Sequence, residues 1–212
     1  FNVCAANGVE RLVVGQHGIL STPAASALIR SLKVDGGIIL TASHNPGGPE
    51  GDFGIKYNTS NGGPAPESVT NQIYAITQSI TSYKSLFKRP HISLDQLGVH
   101  DFCRSTKIEV IDPVENYLSL MREVFDLDLI RERLFVPTSH SNGAGTTNGN
   151  SKRKFRMLAD PMNGVLGPYA RKIIVDVLGA PSDSLINAEP LCDFGGKHPD
   201  PNLTYAHELV DS

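Results

Sequence analysis

The chain has 212 residues, 40% of them hydrophobic and 19% charged, and a net charge of −3 at pH 7. Such a length holds one large domain or two modest ones. The charge balance gives no broad attraction to nucleic acid or to an anionic membrane, and no apolar run approaches the ~20 residues of a bilayer span.

Cys4, Cys103 and Cys192 are odd in number, far apart and in no C-x-x-C spacing. They suggest neither a disulfide framework nor a zinc site, and a reducing, cytoplasmic setting is expected. The sequons at Asn58 and Asn202 carry no weight without a secretory signal. The opening "FNVCAANGVERL" reads as the tail of a helix stopped by Asn7-Gly8, and the ending "PNLTYAHELVDS" as a helix barely begun. A piece of a longer protein is expected.

Along the chain, "RLVVG" (Arg11 to Gly15) is a short β-branched run. The next segment, "STPAASALIRSLK", reads as a helix with Thr22 as N-cap and Pro23 at its first position. "GGIILTA" is a second strand and "FGIKY" a third. In "PAPESVTNQIYAITQSITSY", Val69, Ile73, Ile76, Ile80 and Tyr83 recur at helical steps, which predicts an amphipathic helix. "KIEVID" followed by "PVENYLSLMREVF" repeats strand then helix, with Pro113 opening the helix. The Ser/Thr/Asn/Gly-rich stretch 137–152 reads as a mobile linker or insertion. The basic cluster Lys152, Arg153, Lys154 and Arg156 reads as its solvated edge. Beyond it, "KFRMLAD" predicts a strand, and "GPYARKIIVDVLGA" a helix stopped at Gly179. The alternation predicts an α/β fold with a mixed or mostly parallel sheet sandwiched by helices. Two consecutive α/β/α units are expected, the second incomplete.

The chemistry concentrates in "LTASHNPGGPEGDFGIKY". A hydroxyl at Ser43, a glycine-rich backbone, His44 and Lys56 suit phosphoryl transfer: turned-out N–H groups and an ammonium hold anionic oxygens while the hydroxyl carries the phosphoryl group. On composition alone a plain surface turn fits better, because Ser, Asn, Pro and Gly are the commonest turn formers. No G-x-G-x-x-G, Walker A or G-x-S-x-G pattern supports a nucleotide or acyl-transfer reading.

"TASHNPGG" with "GDFGIKYN" and "SNGGPAP" closely resembles the phosphoserine region of the phosphoglucomutases, in the α-D-phosphohexomutase superfamily. "QHGILSTPA", "DPMNGVLGPY" and "DFGGKHPDPNLTYA" are similar to the same family. The resemblance implies that Ser43 is the phosphorylated catalytic residue and, through its phosphate, one ligand of a Mg²⁺ ion. It implies interconversion of glucose 1-phosphate and glucose 6-phosphate, with glucose 1,6-bisphosphate as intermediate. Thr41, Ala42, Asn45, Pro46, Gly47 and Gly48 become the substrate and phosphate loop, in which proline gives rigidity and the glycines allow close approach. Lys56 is the preferred general acid/base. For His44, acid/base work and simple loop support stand level.

The long link "GGPEGDFGIK" looks like the glucose type. Lys197 departs from the family, which often has a second histidine there. Asp160, Asp193 and Asp200 are read as strand ends and turn formers. The family's D-G-D-G-D-R metal loop is expected beyond Ser212, with the sugar-specificity loop and the last phosphate-binding domain. An early arginine motif is expected before Phe1, so the 212 residues alone are expected to be inactive. Domain I is expected over 1–153 and the start of domain II over 154–212. Other readings are a mutase for another hexose phosphate and a non-catalytic, adhesion-associated scaffold; against the scaffold stands the intact Asn45. Neither nucleic acid nor membrane is an expected partner.

Overall fold

A computed structural model describes residues 1–87, 90–136 and 155–211. The linker expected over 137–152 and Lys152, Arg153 and Lys154 of the basic cluster lie outside the described residues, as does the 153/154 boundary. The fold is mixed α/β, and the chain divides into two compact units. The first comprises Phe1–Leu40 and Ile55–Tyr117, the second Thr41–Gly54 and Leu118–Ser212.

In the first unit, helix α1 (Asn2–Ala6) ends at Asn7, and Gly8 takes φ 88°, as Asn-Gly at a helix end favours. Strand β1 (Arg11–Gly15) pairs parallel with β5 (Thr106–Ile111), which pairs antiparallel with β4 (Gly98–Cys103). This three-stranded sheet, in order β1-β5-β4, is therefore mixed. The strict alternation in β5 sends Ile108 and Val110 to one face, where they meet Phe102 of β4 and Ala5 of α1. Leu12 and Val14 of β1 pack on the same cluster. Each such buried side chain contributes roughly 1.5–3 kcal/mol of transfer free energy. The opposite face carries the Arg11–Glu109 ion pair at 2.6 Å.

Helix α2 (Thr22–Leu32) is capped by Ser21, whose hydroxyl accepts from the Ala24 N–H at 3.3 Å. The cap thus falls one residue before Thr22. Adjacent Ser and Thr both cap well, but only Ser21 stands three residues before a free N–H and outside the helical backbone. α2 buries Ala24, Ala25, Ala27, Leu28 and Ile29. Strands β2 (Gly36–Leu40) and β3 (Ile55–Thr59) form a separate antiparallel pair, with Ile39 opposite Lys56 and Leu40 opposite Ile55. Helix α3 (Glu67–Ser79) matches the sequence pattern but buries no residue. Its apolar stripe, with Ile73, Ile76 and Ile80, faces solvent.

Helix α4 (Glu115–Val124) carries the chain into the second unit after a turn in which Asp112 Oδ1 accepts from the Val114 N–H. Its Leu118 is almost wholly buried. Helix α5 (Leu127–Leu134) is capped by Asp126, which accepts from the Leu129 N–H at 2.9 Å. The strand expected in "KFRMLAD" is reduced to one parallel bridge, Ala159 to Leu185, because the chain turns at once: Asp160 Oδ1 accepts from Met162 N, and Met162 and Asn163 take positive φ. Buried Asn163 ties this turn down, giving its backbone N–H to Asn187 O and its side-chain amide to Glu189 O. Helix α6 (Leu166–Ala170) widens into π-helical turns over Arg171–Val177 and stops before Gly179 at φ 79°. The short α7 (His207–Val210) closes the described chain.

Candidate active-site loop

Between β2 and β3 the chain leaves the ladder at Leu40 and returns at Ile55. The intervening loop, Thr41–Gly54, lies in the second unit. Its ends are joined by the Thr41 N–H, which donates to Gly54 O at 2.9 Å. A Cβ on Gly54 would sit 2.2 Å from Thr41 O, so only glycine closes the neck.

Ser43 occupies the second position of a four-residue turn, in which the Asn45 N–H donates to Ala42 O at 3.3 Å. Its φ is 61°, a left-handed value that costs an L-residue about 1–2 kcal/mol. Turns with positive φ at this position usually take glycine. The Ser43 N–H donates to Thr41 Oγ1 at 3.0 Å, which offsets part of that cost. The residue is exposed, with its hydroxyl on an outward turn and not in an apolar interior. Backbone strain of this kind is concentrated at functional sites.

The rest of the loop is cross-tied. Asn45 Nδ2 donates to Asp52 Oδ2 at 2.8 Å, and the Asp52 N–H donates to Pro46 O at 3.2 Å. A tight turn follows, the Gly51 N–H meeting Gly48 O at 3.0 Å, with Gly48 at φ 97°. A Cβ on Gly51 would fall 2.3 Å from Pro46 O, so the glycines permit a closed loop rather than a floppy one.

Thr41, Ala42, Ser43, His44, Asn45, Pro46, Gly47 and Gly48 are thus gathered on one loop, with Ser43 and His44 both exposed. Lys56 stands on β3, in the other unit, and is also exposed. Sequence reasoning passed over Asp52. Its spacing from Asn45 follows no helical or strand period, so only the folded loop reveals the pair.

Elsewhere in the second unit, Asp193 Oδ1 accepts from the Gly195 N–H, and Asp200 Oδ2 from the Asn202 amide. Both are turn contacts. Among the described residues no group of three or more His, Cys, Asp or Glu side chains could hold a metal ion. Asp52 has one oxygen engaged by Asn45. These residues therefore do not by themselves fit a resident cation.

Residues 1–84 match the family described as phosphoglucomutase/phosphomannomutase, alpha/beta/alpha domain I. The chain is 49% identical to Phosphoglucomutase-1 of Bos taurus, over 99% of this chain and 35% of that protein. It is 48% identical to Phosphoglucomutase-like protein 5 of Mus musculus over the same shares. A crystal structure of pp63/parafusin, a phosphoglucomutase from Paramecium described as an exocytosis-sensitive phosphoprotein in its open form, is 44% identical. It superposes with a TM-score of 0.86 over 99% of this chain and 36% of that one. The α/β architecture with an exposed serine loop is accordingly that of a phosphohexomutase first domain. Residues 1–84 belong to the phosphoglucomutase/phosphomannomutase family, and the chain spans about a third of the length of the relatives it matches.

Proposed function

We propose that the protein bearing this chain is a phosphoglucomutase that interconverts glucose 1-phosphate and glucose 6-phosphate, with Ser43 as the residue that carries the phosphoryl group. One observation carries the reading most: an exposed serine is held at φ 61° on a cross-tied loop. Identity near 50% to named phosphoglucomutases supports it.

In the first half-reaction a sugar hydroxyl attacks the phosphorus of phosphoserine 43. The Ser43 Oγ–P bond breaks, the attacking hydroxyl gives up its proton, and a proton is delivered to the departing Ser43 oxygen, which becomes a hydroxyl. Lys56 is the general acid/base group we assign to this proton relay. His44 either shares that work or supports the loop. The product is glucose 1,6-bisphosphate; after it turns over, the Ser43 oxygen takes back the other phosphoryl group. Thr41, Ala42, Asn45, Pro46, Gly47 and Gly48 make up the substrate and phosphate loop, which positions the anionic oxygens, since phosphoryl transfer depends on positioning and charge stabilisation. Mg²⁺ is the metal we assign to the whole protein, with the Ser43 phosphate as this chain's contribution.

Residues 1–153 are assigned to domain I and 154–212 to the start of domain II. A cytoplasmic setting is assigned on the three free cysteines.

The test is transfer of label from glucose 1,6-bisphosphate to the longer protein containing this chain. Label should appear on Ser43 and be absent from Ser43→Ala. The 48% identity to Phosphoglucomutase-like protein 5 favours one second reading, a non-catalytic scaffold of the same fold. An intact, folded protein that takes no label would put that reading first. The same assay with other hexose bisphosphates decides which sugar is turned over.

A further inference from the structure

We infer that Asn45 and Asp52 form a latch that positions Ser43 for phosphoryl transfer, acting through the loop rather than on the substrate. The inference rests on the reading of Ser43 as phosphoryl carrier. The unfavourable φ of Ser43 persists only if both ends of its turn are fixed. One end is fixed by Thr41, whose hydroxyl accepts from the Ser43 N–H. The other end is Asn45, bound by its main chain to Ala42 O and by its side chain to Asp52 Oδ2 at 2.8 Å.

Asp52 is itself anchored, because its N–H donates to Pro46 O and the Gly48–Gly51 turn sets its distance from Asn45. The pair therefore joins the serine turn to the returning arm of the loop. An amide donating to a carboxylate is a charge-assisted bond, stronger than a neutral one. It also fixes the direction of an anionic side chain on a loop that must accept a phosphate dianion. The latch is the role this geometry gives Asp52.

Four single variants and one double variant of the longer protein test this. Asp52→Ala and Asn45→Ala each remove the bond and should lower kcat roughly tenfold with KM little changed, the mark of lost positioning. Asp52→Asn keeps an acceptor oxygen and should stay near the parent kcat. Asn45→Asp sets two carboxylates against each other and should be the poorest. Adding Asp52→Asn to it restores a donor and an acceptor in transposed order and should recover most of the rate. Independently of activity, hydrogen exchange in peptides from 41–54 should speed up in Asp52→Ala and not in Asp52→Asn.

Asn45→Ala raising KM while Asp52→Ala is silent in both kcat and exchange would overturn the latch and make Asn45 a direct substrate contact. Failure of the transposed pair to recover, with exchange in Asp52→Ala unchanged, would also overturn it. A parent protein that never labels at Ser43 defeats the enzymatic reading instead, and the exchange data judge the latch without it.

Discussion

The Lys197 ammonium is ion-paired with the carboxylate of Glu208, whose other oxygen accepts from the Asn187 amide at 2.8 Å. In sequence Lys197 is a departure from a pattern that often has histidine there. In the fold it is the partner that a glutamate in the first turn of α7 requires. The Asn187 hydrogen bond, and then Lys197, hold the Glu208 carboxyl below its ordinary value of 4.5. A carboxyl lowered by folding adds stability that is present above its unfolded value and is lost as pH falls through the folded one.

Glu208→Gln should therefore be slightly less stable than the parent at neutral pH, only slightly because the side chain is exposed, and the two should converge as pH falls below about 4.5. Lys197→Met should do so in part, because Asn187 remains. Urea midpoints measured from pH 3 to 6 check this. Parallel curves for parent and Glu208→Gln would show that the network carries no pH-dependent stability.

Cys103 ends β4 in a tight hairpin, beside Ser105 and Thr106. A hydrogen bond from the Thr106 side chain, then one from the Ser105 backbone, lowers its thiol from the ordinary 9.0. Thiolate fraction governs alkylation, so Cys103 should react with iodoacetamide at pH 7.5 faster than Cys4, which is half-buried as Cys103 is. Its rate should level off as pH rises and its thiol becomes fully ionised. Mass-spectrometric labelling rates at several pH values test the order, and equal rates at pH 7.5 refute it.

The strands and helices with strong periodicity were legible: β1, α2, β2, α3 and β5 fall where side-chain spacing puts them, while β3 is Ile55–Thr59 rather than starting at Phe53, and Pro113 lies in the turn before α4 rather than opening it. Strand β4 was not, because "GVHDFC" places His100 and Asp101 between its apolar residues and its register shifts between Asp101 and Cys103. Helix α5 was hidden by its eight-residue length and by charges at half its positions. "KFRMLAD" looks like a strand, but a strand exists by its pairing, and only Ala159 finds one. At the site, composition alone favoured a plain turn, and Ser43 was singled out only by the resemblance of its motif to the phosphoglucomutases. The Asn45–Asp52 bond could not be found, since a loop contact seven residues apart is set by two turns that no period describes.

Helix α3 offers a direct test of surface against core. Ile73, Ile76 and Ile80 are 43%, 58% and 53% exposed. On this 212-residue chain Ile76→Lys should change unfolding free energy by no more than about 0.5 kcal/mol, as for other surface positions. Solubility should rise as the apolar stripe is broken. A loss above about 1 kcal/mol in urea titration would mean that the stripe is covered in solution.

The strain at Ser43 can be weighed by comparing two variants that both lack the hydroxyl. Alanine keeps a Cβ and must still adopt φ 61°, whereas glycine reaches that value without a steric penalty. Glycine also loses more chain entropy on folding, which works against it by roughly 0.5–1 kcal/mol. A left-handed penalty of about 1–2 kcal/mol outweighs that term. Ser43→Gly should therefore be the more stable of the two by several tenths to about 1 kcal/mol, although neither can accept a phosphoryl group. Chemical denaturation of both variants gives the difference directly. If Ser43→Ala proves the more stable, the serine turn is unstrained in solution, and the claim that the loop holds its hydroxyl by force must be abandoned.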